Sequence, residues 1–304
     1  MQIYFPQTRI IVYVLSVISF VFSCKSSGET KELPVDPAVK KEVEVGRALA
    51  GRLAKKYGMV QDEEFTRYIN LIGKSMAAYS SRQELDFRFG VLNTEEVNAF
   101  ACPGGYVMIT RGSIEMMESE AELASILSHE LSHVTLMHSG KFDEQGSSFL
   151  DILGSVMAPG GNLVSSLTKT AVDGMLDQFF ESGRKKEQEI ESDKAGIFLM
   201  AQAGYNTKAA SNLLVKLDKS QHNETVLKTH PPTADRIKEL ENFIAENGLA
   251  KGGKDNKERF QEKLKAFESR NPKVETVETA NPEAEKPAPK PEEKKVNTKG
   301  NKKP

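Results

Sequence analysis

The chain has 304 residues, of which 38% are hydrophobic and 28% charged, with a net charge of -2. That length and apolar content suffice for one domain with a substantial core, and the near-neutral balance, with no recognition motif, argues against a nucleic-acid partner. Only two cysteines are present, Cys24 and Cys102, so no internal disulfide framework exists once Cys24 is modified.

At the N-terminus Arg9 precedes an apolar run from Ile10 to Phe22. The run is short for a membrane span of about 20 residues and suits a signal-peptide core. It ends in Val21-Phe22-Ser23-Cys24, which resembles a bacterial lipobox with cleavage before Cys24 and lipid on its thiol, although Phe22 is larger than the usual residue there. An ordinary cleaved signal and an uncleaved anchor are the alternatives. Residues 1–23 are thus read as a lipoprotein-type signal peptide, 24–34 as a tether, and 35–250 as one domain. The expected location is the bacterial cell envelope, lipid-anchored at the outer membrane and facing the periplasm.

Residues 86–93, DFRFGVLN, and 106–110, YVMIT, have strand-like alternation or β-branched content. Pro103-Gly104-Gly105 is a strong turn between Asn98-Ala99-Phe100-Ala101 and the second strand. By themselves residues 98–101 read as an ordinary core strand or loop. Cys102 reads as a small packing residue beside the turn.

A helix is predicted next. Ser119 and Glu122 form a capping box ahead of Ala121, Leu123, Ala124, Ile126, Leu127, Leu131 and Val134. Within it residues 129–133 read His-Glu-Leu-Ser-His. At 3.6 residues per turn His129 and His133 share one face, and Glu130 is rotated enough to reach a metal-bound water without taking a ligand position. Two histidines leave a catalytic zinc one protein ligand short. A histidine six residues after the second is excluded, because Ser139 stands there, and His138 is out of phase and expected to point away from the metal.

Residues 140–182 mix Gly146, Gly154, Gly160 and Gly161 with apolar patches and lack a span-length hydrophobic run. A lid, a substrate platform, a membrane-contacting hairpin and plain helical packing all stay open for this insert. The segment KKEQEIESDKAG, residues 185–196, has helix-forming composition. Glu189, Asp193 and Gly196 fall at i, i+4 and i+7, one stripe that offers a carboxylate ligand, a second carboxylate able to accept the outer N–H of a zinc histidine, and a close helix approach. Glu187 and Glu191 lie on a different stripe and are the alternative ligands. Further on, His230 is followed by Pro231 and Pro232, with Arg236 in the helix that begins near Thr233. Phe260, Leu264 and Phe267 recur at helical spacing, so 251–270 is a charged amphipathic helix or linker. Residues 271–304 lose Leu, Ile, Phe and Tyr and read as a disordered tail rich in Lys, Glu and Pro.

His129-Glu130-x-x-His133 combined with Glu189-Ile190-Glu191-Ser192-Asp193, close to E-x-E-A-D, resembles the HtpX and BepA group of gluzincin zinc metallopeptidases, peptidase family M48. The stretch NAFACPGGYVMITRG at 98–112, the segment around Glu44 and Gly46, and THPPTADRI at 229–237 resemble further family elements, so the likeness spans roughly 35–245. Ser192 departs from the family's usual Ala. The resemblance implies an α+β, predominantly helical zincin-like fold with a small mixed sheet beside the active-site helix. It also implies that Asn98, Ala99 and Phe100 bind the substrate backbone by β-strand pairing. It further implies that His230 approaches the metal, either stabilising the oxyanion or plugging the open position at rest, and that Arg236 structures the region.

The expected function is that of a zinc metalloendopeptidase acting on polypeptides of the cell envelope. One Zn2+ per chain is held by His129, His133 and Glu189, with Glu130 as base and Asp193 orienting a histidine. The competing reading is a binding module or holdase that grips envelope proteins and cleaves rarely. An intact Glu130 argues against it, since a binding module needs no base.

Overall fold

A computed structural model describes residues 36–138, 184–219, 228–230, 234–250 and 252–273. The signal segment, Cys24, the tether, the insert at 140–182 and residues 274–304 of the tail lie outside the described residues. Helix α1 spans Pro37–Tyr57 and α2 Glu63–Ala77; strands β1 (Arg88–Leu92), β2 (Ala99–Cys102) and β3 (Tyr106–Thr110) follow, with a 3-10 turn at Pro103–Gly105. Then come α3 (Arg111–Glu115), α4 (Glu120–Thr135), α5 (Lys186–Gln202), α6 (Lys208–Lys219), α7 (Ala234–Glu246) and α8 (Lys257–Arg270). The protein is mostly helical with one small mixed sheet, in agreement with the expected class.

The sheet order is β1-β3-β2, with β1 parallel and β2 antiparallel to β3. Both faces are covered, and strand alternation sorts the side chains between them. Phe89, Val91, Ala101, Val107 and Ile109 enter the large core with α2 and α4. Leu92, Phe100, Cys102 and Met108 face Val45, Leu49 and Leu53 of α1. Helix α1 approaches the Pro103–Gly105 turn so closely that a Cβ added at Gly46 would lie 1.7 Å from the Pro103 carbonyl oxygen. Glu42 of α1 fastens the same turn, accepting from the Gly104 N–H at 2.9 Å and from Arg82 at 2.7 Å. Cys102 is buried in this layer, and that burial pushes its thiol well up, which suits packing and not nucleophilic chemistry.

Helix α4 starts as the capping residues require. Ser119 Oγ accepts from the Glu122 N–H at 3.2 Å, while Glu122 reaches one residue further back than a standard box and accepts from the Glu118 N–H at 2.7 Å. Glu120, fully buried in the first turn, accepts from Tyr68 at 2.7 Å, Tyr205 at 3.0 Å and Asn256 at 2.9 Å, and pairs with Arg259 of α8. This buried carboxylate therefore joins α2, α4 and α8 at the base of α4.

Helix α8 belongs to the same core. Phe260, Leu264 and Phe267 are buried there, and Phe267 stacks on Phe65 of α2 at 4.3 Å between ring centroids. Asp62 both caps α2, accepting from the Phe65 N–H at 2.9 Å, and accepts from Arg270 at 2.8 and 3.1 Å. Removing such a ring leaves a cavity the helices cannot close. Phe267→Ala is expected to cost about 3–5 kcal/mol in a denaturant titration; a loss under about 1 kcal/mol would mean that α8 is peripheral.

Candidate metal centre

Helices α4 and α5 bring the centre together. A Cβ placed at Gly196 of α5 would lie 3.1 Å from Ser128 Oγ and 3.2 Å from the His129 nitrogen, so the missing side chain lets the two helices close. His129 and His133 stand edge to face, ring centroids 4.6 Å apart, with their Nε2 atoms at 3.0 Å. Glu189, in the first turn of α5, places Oε1 3.2 Å from His133 Nε2 and Oε2 3.4 Å from His129 Nε2. His230 completes the group, its Nδ1 3.0 Å from Glu189 Oε1 and 3.4 Å from His129 Nε2.

One donor atom from each of His129, His133, Glu189 and His230 thus lies within 4.8 Å of all the others. Separations of 3.0 to 3.4 Å are close to the edge of about 3.3 Å in a tetrahedron whose bonds are about 2.0–2.1 Å, the zinc–nitrogen range. Imidazole nitrogens and one carboxylate are also the donor chemistry zinc takes. The residues fit the metal.

Electrostatics concentrate on the carboxylates. Burial pushes Glu189 up, but the neighbouring His230 and His129 charges and the histidine N–H groups outweigh it and hold the carboxyl well below its usual range. Burial also opposes ionisation of Asp193, yet Arg236 and His129 keep it low. For His129 burial is overcome by Glu189 and Asp193, which raise it to about 9. Its Nδ1 lies 2.9 Å from Asp193 Oδ1. Arg236, nearly buried, reaches Asp193 at 2.6 Å, Glu189 at 2.8 Å and the His230 carbonyl at 3.3 Å. One guanidinium therefore fixes both carboxylates and the backbone of the fourth donor.

A cleft opens beside this group, bordered by Asn98 and Ala99, by Ile126, His129 and Glu130 of α4, and by the leucines of α6. Glu130 Oε2 and Asn98 Nδ2, at the border of the cleft, are buried without a hydrogen-bond partner among the described residues; His129 Nδ1 also forms no well-aligned hydrogen bond there, although Asp193 Oδ1 stands 2.9 Å from it. Phe100 does not share in the cleft. Its ring sits on the opposite face of the sheet, stacked on Tyr57 at 6.1 Å, because successive strand residues alternate. Glu187 and Glu191 are exposed and outside the donor group.

His138 stays outside the donor group, as its phase predicts, but it packs behind His133: its Nδ1 lies 3.0 Å from His133 Nδ1 and 3.1 Å from Ser192 Oγ, and its Nε2 lies 3.1 Å from Glu191 Oε2. Ser192 Oγ is itself 3.0 Å from His133 Nδ1. Helical phase cannot reveal this contact, because it forms after α4 has ended.

The sequence profile of peptidase family M48 matches residues 63–244. Among curated proteins the chain is 28% identical over 217 residues to the beta-barrel assembly-enhancing protease of Escherichia coli K12, covering 67% of this chain and 44% of that protein. It is 28% identical over 188 residues to the mitochondrial metalloendopeptidase OMA1 of Schizosaccharomyces pombe, covering 60% and 53%. It is 23% identical over 190 residues to the metalloprotease LoiP of Escherichia coli K12, covering 62% and 74%. The chain spans less than half the length of the beta-barrel assembly-enhancing proteases it matches.

Proposed function

Because this chain belongs to peptidase family M48, we propose that it is a zinc metalloendopeptidase whose catalytic centre is His129, Glu130, His133 and Glu189. The observation that carries the reading is the convergence of these ligand atoms beside a buried, unpartnered Glu130 oxygen. A bound zinc would lower the pKa of a water to about 7 and polarise the scissile carbonyl. The protein's own groups do the rest. Glu130 Oε2 takes a proton from the attacking water as the new C–O bond forms, then delivers it to the leaving amine as the C–N bond breaks. Asp193, locked by Arg236, holds His129 through Nδ1. Asn98 Nδ2 donates to a substrate carbonyl, and Ala99 lines the cleft beside it.

Substrates are proposed to be polypeptides of the cell envelope, with the chain tethered through lipid on Cys24. Support comes from the apolar run ahead of Cys24 and from relatives named for β-barrel assembly. No helix among the described residues is long and apolar enough to cross a membrane. Chelator-treated protein is expected to lose cleavage of an unfolded protein such as casein, and to regain it with about one zinc per chain. Undiminished cleavage by metal-free protein would overturn the proposal.

His230 is proposed to plug the fourth position in the resting enzyme, since its Nδ1 stands with the other donors while its Nε2 is 3.6 Å from Glu130. On that reading His230→Ala raises basal turnover and sensitises the zinc to chelators. A fall in turnover on the order of a hundredfold with zinc retained would instead make it an oxyanion stabiliser. Unchanged turnover and chelator sensitivity would remove both roles.

A further inference from the structure

His129 and His133 are held from behind by different means. His129 backs onto a carboxylate, Asp193, that Arg236 pins in place. His133, fully buried, has a neutral hydroxyl and a second imidazole behind it. We infer that Ser192 and His138 are positioning residues for the metal: they form a hydrogen-bonded chain that fixes the tautomer and ring orientation of His133. This inference rests on the zinc reading above.

The directions of the bonds follow from one requirement. His133 turns Nε2 into the donor group, so the lone pair must be on Nε2 and the proton on Nδ1. Nδ1–H then donates to Ser192 Oγ at 3.0 Å, with His138 Nδ1 at 3.0 Å as a second acceptor on the same side. The Ser192 hydroxyl hydrogen is left to donate to His138 Nδ1 at 3.1 Å. His138 Nδ1 is therefore an acceptor, its proton sits on Nε2, and Nε2–H donates to Glu191 Oε2 at 3.1 Å. Every donor has an acceptor with both imidazoles neutral. No other assignment of the two rings leaves Nε2 of His133 open while satisfying each buried group.

The backbone supplies an independent observation. Helix α4 ends with Met137 in the left-handed region at φ 57, one of only two non-glycine residues with positive φ among the described residues. The His138 N–H donates to the His133 carbonyl at 3.0 Å and the Met137 N–H to the Val134 carbonyl at 3.0 Å. This is the Schellman pairing, which ordinarily uses glycine at the strained position. Left-handed geometry is disfavoured for a residue with a Cβ, and here it folds the chain back so that His138 lies against the ring of His133. Strain of this kind persists where the surroundings hold it. Glu191 is 65% exposed at its side chain, so solvent screening makes the outer end of the chain the weakest link.

The test is zinc affinity of the full chain, measured by competition with a chromogenic chelator, alongside the zinc-induced rise in melting temperature. Ser192→Ala and His138→Ala are each expected to weaken zinc binding about 10- to 100-fold, the range for partners of a metal-bound histidine. The double variant should lose less than the product of the two. His138→Asn, which keeps an acceptor near the Nδ1 position, should recover much of the loss, and Glu191→Gln should change affinity little. Affinities of both alanine variants within twofold of the parent would overturn the inference, as would a His138→Asn no better than His138→Ala. Should His138→Ala fail to fold, Ser192→Ala decides alone, since it removes a single oxygen. A parent chain that binds no zinc would refute the metal centre itself, a different result.

Discussion

Glu189→Ala is expected to strip the metal. Glu189 is the only acidic residue among the converging donors, and its carboxyl contacts both histidines within 3.4 Å. Its loss removes one of the three protein ligands a catalytic zinc requires and takes from Arg236 a carboxylate it holds at 2.8 Å. The fall in zinc affinity should therefore exceed the roughly 10- to 100-fold typical of residues that only support a ligand. Glu187→Ala and Glu191→Ala provide the contrast, because both side chains are exposed and outside the donor group. Zinc titration of the three variants decides the ligand. Metal loss in Glu191→Ala with Glu189→Ala unaffected would mean that α5 presents another face to the centre.

What could be read in the sequence is what helical periodicity decides. His129, Glu130 and His133 share a helix because four residues make about one turn, and Glu189, Asp193 and Gly196 form a stripe for the same reason. The two sets meet because Gly196 allows α5 onto the backbone at Ser128 and His129. The helix at 257–270 was legible as amphipathic, but what it packs on was not, since Phe65 and Phe267 are far apart in the chain and no periodicity links them. The same limit hides the buried Glu120, whose partners come from three distant elements. Strand alternation sends the Phe100 ring to the α1 side, so beside Asn98 and Ala99 only its backbone, on the β2 edge of the sheet, is placed for the pairing that the resemblance implies. His138 escaped because its position depends on a left-handed Met137, and methionine carries no signal for that conformation.

Glu130 is proposed as the base of a metal-assisted hydrolysis. Gln matches Glu in shape and length but cannot take up the proton, so Glu130→Gln isolates the chemical step. Its buried Oε2 has no hydrogen-bond partner among the described residues, and its Oε1 lies 3.6 Å from His230 Nε2, so an amide of the same shape replaces no short hydrogen bond seen there. The decisive measurement is the turnover of an unfolded protein substrate by zinc-loaded Glu130→Gln against the parent, with zinc content determined on the same samples. About one zinc per chain is expected in both, with a fall in turnover of about 10²- to 10⁴-fold, the usual contribution of a general base. Parent-level turnover by zinc-loaded Glu130→Gln would contradict that role.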